Sequence, residues 1–349
     1  MPIYPNFELF SKTHQNILLV SEKINSRENA LKEIDRLIKK TENAEKNKNF
    51  DKAISNLKKI IYLEKKFLGN NHPDLADTFT WIADIYSYEN KYDKAEPFFI
   101  KALKIDEKNN DPQISLVINN LALNYQYQGK YDKAEPIFIR ALKIDEENDN
   151  PQISVVLNNL ALNYQDQGQY DKAEPLFIRA LKINEKLFGR NHPKTSLVLH
   201  NLASIYRDKG LLKKSEKLFI RALNIDKNNL GPQHPDTITT IRSLGEIYQS
   251  QALYEKAESL LIESLELSKK VLGPEHPQTA IALTYLGSLY RDQAFFSKAE
   301  SNFLKALKIE EKIYGKNSYL LADRLNDLGV LYLDKGLLKK SETFLLRAL

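Results

Sequence analysis

The chain has 349 residues and a mass of 40.3 kDa, with 42% hydrophobic and 28% charged residues, and a repeat array can occupy such a length as one continuous body. It contains no cysteine, which excludes disulfide frameworks, thiol nucleophiles, iron–sulfur clusters and cysteine-ligated zinc. The 51 Lys and Arg exceed the 46 Asp and Glu by five, and residues 1–70, with 14 basic and 9 acidic side chains, account for the whole excess, so no broad basic face for nucleic acid is expected.

In chain order, residues 1–28 read as an N-terminal extension, either a short helix or a loose arm. The longest early apolar run, residues 17–20, is too short for a signal-peptide core or a membrane span. A soluble, cytoplasmic chain with no membrane partner is therefore expected. Residues 29–70 read as a divergent capping hairpin, polar enough for an end whose outer face meets water. Residues 29–47 align as its first helix, with Ala44 in a column occupied by tyrosine further on.

From residue 71 to 349 a single motif recurs. Lys-Ala/Ser-Glu begins at Lys94, Lys133, Lys172, Lys214, Lys256, Lys298 and Lys340, at spacings of 39, 39, 42, 42, 42 and 42. Self-similarity of this period marks a stack of repeats, about seven here. Within one repeat, Ile153, Val156, Leu157, Leu160, Ala161 and Tyr164 trace a helical stripe, and Ala173, Leu176, Phe177, Ala180, Leu181 and Ile183 trace a second one. Gly168 and Gln169 form the turn between them. Small residues (Ala122, Ala161, Ala203, Gly245, Gly287, Gly329) recur in the first helix, where backbones are expected to approach closely, and Tyr125, Tyr164, Tyr206, Tyr248, Tyr290 and Tyr332 are expected to fill the wider gaps as core.

The links are equally regular. His72, Asp111, Asn150, His192, His234 and His276 each precede a proline where a new first helix is expected to begin, with the proline at the first helical position and the preceding side chain as cap. Gly69, Gly189, Gly231, Gly273 and Gly315 are expected to end the preceding helices in a left-handed conformation. The 39-residue repeats lack that glycine, so their second helices or following loops should be about one turn shorter. Pro97, Pro136 and Pro175 are expected in the first turn of the second helices, where proline is tolerated. At the far end the last repeat stops at Leu349, soon after Ala348, so it is either truncated or leaves an apolar edge open to end-to-end self-association.

Units such as Asn159-Leu160-Ala161-x-x-Tyr164, Gly168-x-Tyr170-x-x-Ala173-Glu174-Pro175-x-Phe177-x-x-Ala180-Leu181 and Leu187-x-Gly189-x-x-His192-Pro193 resemble the tetratricopeptide repeat, in the long form found in the kinesin light chain. The resemblance covers about residues 29–349. It implies an all-α, right-handed superhelical solenoid of stacked antiparallel helix hairpins, with the first helix of each hairpin lining a concave groove that binds a protein or peptide. Mapped onto this chain, it selects Asn119, Asn120, Asn158, Asn159, His200, Asn201 and Arg242 as peptide-binding. Asn120, Asn159 and Asn201 form a column whose amides can pair with a peptide backbone or tie neighbouring helices together. Arg207, Arg242 and Arg291 add cations that can receive a carboxylate or be neutralised by adjacent aspartates such as Asp208 and Asp292. Trp81 stands one repeat before Asn120 and faces either a ligand or the first hairpin.

The residues point to a non-catalytic scaffold for an extended peptide or disordered partner segment, or to the sensing or assembly module of a larger signalling protein. His72, His192, His234 and His276 lie in separate loops and cannot converge on one metal. No phosphate-binding glycine loop is present, so neither enzyme activity, cofactor nor metal is expected.

Overall fold

The structure, a computed structural model, describes residues 26–349; the expected N-terminal extension therefore lies outside the described residues up to position 25. Among the described residues the chain forms sixteen α-helices and one short 3-10 turn, in two compact bodies that meet in sequence between residues 167 and 168. The N-terminal body holds α1 (Arg27–Lys46), α2 (Phe50–Phe67), α3 (Pro73–Tyr88), α4 (Tyr92–Asn109), α5 (Ile114–Tyr127), α6 (Tyr131–Glu147) and α7 (Ile153–Asp166). The C-terminal body holds α8 (Tyr170–Phe188), α9 (Pro193–Asp208), α10 (Leu212–Asn229), α11 (Pro235–Ser250), α12 (Tyr254–Val271), α13 (Pro277–Asp292), α14 (Phe296–Tyr314), α15 (Ala322–Asp334) and α16 (Leu338–Ala348). Within each body every helix packs on the next one in sequence, which is the hairpin stack that the repeat predicts.

The core follows the two columns. Phe99 and Phe138 in the first body, and Phe177, Phe219, Leu261 and Phe303 in the second, are fully buried on the second helices. They lie over the small residues of the first helices. A Cβ added to Gly245 would meet Leu261 at 2.9 Å, and one added to Gly287 would meet the Phe303 ring at 2.6 Å.

The recurring Lys-Ala/Ser-Glu triplet has a separate task for each residue. The lysine ammonium lies over a tyrosine ring, Lys133 over Tyr125 at 5.8 Å, Lys214 over Tyr206 at 5.2 Å and Lys298 over Tyr290 at 4.7 Å. The small residue is buried; where it is serine, Ser215 and Ser341 donate to the carbonyls of Ala203 and Gly329, each at 2.7 Å. The glutamate accepts a hydrogen bond from the tyrosine of the following hairpin: Tyr125 to Glu96 at 2.8 Å, Tyr164 to Glu135 at 2.7 Å, Tyr290 to Glu258 at 2.7 Å and Tyr332 to Glu300 at 2.6 Å. Burial first, and the carboxylate second, push these four tyrosines up to about 12. The tyrosine column is thus both core and a polar tie between consecutive hairpins.

The histidine caps are as expected. The Nδ1 atoms of His72, His192, His234 and His276 accept from the backbone amides of Asp74, Lys194, Asp236 and Gln278 at 3.1–3.3 Å, and each following proline is the first residue of its helix.

Four local expectations are corrected. Asp111 and Asn150 do not start their helices: their side chains accept from Gln113 and Gln152 in a turn, and α5 and α7 begin two residues after Pro112 and Pro151. The shorter repeats therefore lose length chiefly from their first helices, 14 residues in α5 and α7 against 16 in α9 and α11, while α6 keeps 17. Pro97, Pro136 and Pro175 are the sixth residues of α4, α6 and α8, so each removes a bond to the carbonyl four residues earlier instead of sitting in a donor-free first turn. Gly189 and Gly315 end their helices at φ 95°, ψ 163° and φ 85°, ψ 152°, a region essentially restricted to glycine and distinct from the left-handed helical one.

The turn inside each hairpin requires positive φ. Gly129, Gly168, Gly210 and Gly336 meet it at 70–72°, but Ala252 and Ala294 occupy the same position at 57° and 60°. An alanine there carries a Cβ too close to its neighbouring carbonyl. Ala252→Gly and Ala294→Gly should each raise stability by about 1 kcal/mol, read as a higher urea midpoint with an unchanged slope.

Candidate functional site: the first-helix face

In the N-terminal body the candidate asparagines lie on α5 and α7. Asn119 and Asn158 are buried, whereas Asn120 and Asn159 are partly exposed. They form a ladder: Asn158 donates to Asn159 at 3.4 Å, Asn159 to Asn119 at 3.0 Å, Asn119 to Asn120 at 3.4 Å, and Asn120 to Asp84 of α3 at 3.5 Å. The 3.0 Å bond is the firm rung; the others are long. The column thus ties first helices together while Asn120 and Asn159 keep a solvent-facing edge. Asp84 touches water, yet the surrounding wall desolvates it and Glu45 repels it, pushing its pKa up to about 6. Trp81 packs on the first hairpin, and its indole N–H donates to Glu45 at 3.0 Å.

In the C-terminal body His200, Asn201 and Arg207 lie on α9, Arg242 on α11 and Arg291 on α13. The His200 ring stands edge-on to Phe219, 5.0 Å between centroids. Desolvation, then Arg242 and Arg207, push it down to about 4, so it is neutral at pH 7. His200 and Asn201 also line a cleft of about 330 Å³ with Leu197, Thr239 and Asp226. Arg207 pairs with Glu246 at 2.8 Å and Asp208 at 2.9 Å. Arg242 is buried; its Nη1 donates to the Gln278 side-chain oxygen at 2.9 Å, and its guanidinium lies 5.6 Å from the Tyr285 ring centre. Arg291 makes a loose pair, 3.9 Å from Asp292. The structure brings Arg207 and Arg242 within electrostatic reach of His200, and Arg291 within reach of Asp327.

One feature of this face is absent from the asparagine column itself. Leu116, Val155 and Leu197 are 41%, 44% and 59% exposed, and each stands four residues before Asn120, Asn159 or Asn201, hence on the same side of its helix. Their signal in the sequence is an apolar residue off the buried stripe at a fixed repeat position.

These hairpins, repeating two helices at a period of about 40 residues with a conserved geometry of caps and ties, define a helical-hairpin repeat protein. The family model for the tetratricopeptide repeat matches residues 42–108, 113–164, 152–214, 195–261, 243–309 and 283–349, and the chain belongs to that family. Among solved structures it is similar to the apo form of the quorum sensor NprR from B. thuringiensis, at 15% identity over 97% of this chain and 91% of that one, TM-score 0.71. It is also similar to a putative kinesin light chain with nearly identical repeats from Podosopora anserina, at 23% identity over 58% of this chain and 97% of that one, TM-score 0.50. A third is a signal transduction ATPase with a tetratricopeptide repeat sensor from Pyrococcus horikoshii, at 17% identity over 95% of this chain and 46% of that one, TM-score 0.61. A comparison with curated proteins finds no match. No described helix is long and apolar enough to cross a membrane.

Proposed function

We propose that this chain is a non-catalytic scaffold that binds an extended peptide or a disordered partner segment on its first-helix face. The observation that carries this reading is the pairing, in three repeats, of an exposed apolar residue with an asparagine one helical turn later: Leu116 with Asn120, Val155 with Asn159 and Leu197 with Asn201. An extended peptide presents apolar side chains and backbone amides in alternation, and the first-helix face of each body offers partners for both. Arg207 on α9, and Arg242 and Arg291 on the first helices of the next two hairpins, add positive charge for an acidic group of the ligand.

Two variants test it. Leu116→Asp, Val155→Asp and Leu197→Asp together, and separately Asn120→Ala, Asn159→Ala and Asn201→Ala together, should each weaken a partner recovered by pull-down and mapped to a peptide by at least tenfold, with helicity unchanged by circular dichroism. Undiminished affinity in both would place binding elsewhere. A second reading, a sensing or assembly module of a larger signalling protein, draws support from the Pyrococcus horikoshii ATPase, whose repeat region is its sensor and of which this chain spans less than half. The two readings share the binding face and differ in whether capture is transmitted to another domain.

A further inference from the structure

On the first-helix face of the N-terminal body, Asp77, Trp81, Asp84 and Tyr88 follow one another along α3 at steps of four, three and four residues, hence on one side of the helix. Asp77, Asp84 and Tyr88 are exposed and Trp81 is half-buried. Glu45, near the end of α1, adjoins this stripe: it accepts from the Trp81 indole at 3.0 Å and repels Asp84. The charges acting on the two aspartates are themselves carboxylates, Glu45 on Asp84, and Asp74 and Asp111 on Asp77. Among the described residues Glu45, Asp77 and Asp84 form no ion pair. Lys39 and Lys46, at the α1 positions equivalent to Trp81 and Tyr88, are exposed and form none either.

The repeat does not dictate two acids here. Glu45 and Asp84 occupy positions that face each other across consecutive first helices. In the C-terminal body the corresponding positions hold Arg207 and Glu246, paired at 2.8 Å, then Gln249 and Ser288, bonded at 3.2 Å, then Arg291 and Val330. Further along the N-terminal body they hold Ser87 with Leu123 and Gln126 with Leu162. Only the first junction sets a carboxylate against a carboxylate, without the cation that Arg207 supplies at the later one. Each of the two raises the cost of ionising the other, so the charged pair is favoured when a cation joins it. The chain as a whole carries a charge of +5, so attraction of a cation belongs to this site and not to the overall field.

We propose that this side of α3 docks a basic protein segment, with an arginine side chain of the partner between Glu45 and Asp84, where the C-terminal body carries an arginine of its own, and alongside Trp81 and Tyr88. A guanidinium suits both kinds of neighbour, because its planar fork bridges carboxylates and its face stacks on aromatic rings. The proposal rests on the first-helix face as the binding face and names the charge of the segment that lies on its N-terminal part.

The test is fluorescence anisotropy of the full chain with a labelled eight-residue peptide of alternating arginine and alanine. The wild type should bind it, more weakly as salt rises from about 50 to 300 mM, and should not bind the same peptide with glutamate in place of arginine. E45Q/D84N should lower affinity at least tenfold while the unfolding midpoint stays the same or rises, since the repulsion is gone; a merely structural role would lower the midpoint. Glu45→Arg, which rebuilds the Arg207–Glu246 arrangement within the chain, should weaken binding as much and raise the midpoint. Val155→Ser with Asn159→Ala, on α7, should leave binding of this short peptide intact. No binding by the wild type, equal binding by E45Q/D84N, or equal binding of the glutamate peptide would overturn the proposal. The first-helix reading fails separately, on undiminished capture of its partner by the leucine, valine and asparagine variants above.

Discussion

Replacing Phe303 with alanine is expected to destabilise the C-terminal body by about 3–5 kcal/mol, read as a fall in the urea midpoint and a loss of amide protection in α13 and α14. The ring is fully buried in the cluster that also holds Leu283, Leu286, Leu307 and Leu325. Truncation leaves a cavity that two fixed helices cannot close. Gly287→Ala attacks the same contact from the other side, placing a methyl 2.6 Å from the ring, and should cost about 1–3 kcal/mol through overpacking. The two losses should not add. Once the ring is gone the new methyl has space, so Gly287→Ala in the Phe303→Ala background should cost under about 1 kcal/mol. Strict additivity would mean that the ring does not set the requirement for glycine. Ala203 faces the equally buried Phe219 in the same columns, so the demand belongs to the local approach of α13 and α14 and not to the phenylalanine as such.

The periodicity made the fold legible because each repeat buries the same columns, and the histidine caps were legible because a cap needs only local amides. The misplaced prolines show the limit. Composition marks Pro97, Pro136 and Pro175 as near a helix start, but the start is fixed five residues earlier by the left-handed turn, which is occupied by Gly, Asn or Ala in different repeats. The role of the glutamate in Lys-Ala/Ser-Glu was not legible, because its partner, the next hairpin's tyrosine, is about 30 residues away and no local pattern links them. The candidate site was legible only to the level of a helix face. Asn119 and Asn120 are neighbours in sequence, yet one is buried and the other partly exposed, since successive helical residues point about 100° apart. Arg207 and Arg242 likewise differ in what surrounds them: two carboxylates for the first, an amide and an aromatic ring for the second.

Stability of the N-terminal body is expected to rise as pH falls from about 8 to about 5, opposite to the acid sensitivity of proteins held by ionised carboxylates. Glu64 on α2 is only 3% exposed; one oxygen accepts from Thr78 at 2.9 Å, and the other is buried without a hydrogen-bond partner among the described residues. Desolvation, with further repulsion from Asp74 and Asp77, pushes its pKa up to about 7 despite the Thr78 bond. Asp106 on α4 is pushed up to about 7, by desolvation and then by Asp111, Asp77 and Glu107. Both groups bind protons in the folded chain near neutral pH, whereas in the unfolded chain they do so only near pH 4. Their contribution is fully present below the unfolded pKa and is lost as pH rises through the folded one. For Glu64 the shift corresponds to a few kcal/mol at most. Glu64→Gln should therefore stabilise the chain at pH 8, do little at pH 4, and flatten the profile between. His200, pushed down to about 4, works in the other direction: its neutral form is favoured by the fold, so its contribution is lost as pH falls from about 6.5 toward 4. Amide exchange corrected for intrinsic rates should resolve the two, with protection in α2–α4 growing on acidification to pH 5 and protection around α9–α11 shrinking. Protection in α2–α4 that falls over this range, or a Glu64→Gln variant with the wild-type profile, would show that these carboxylates remain ionised in the folded chain.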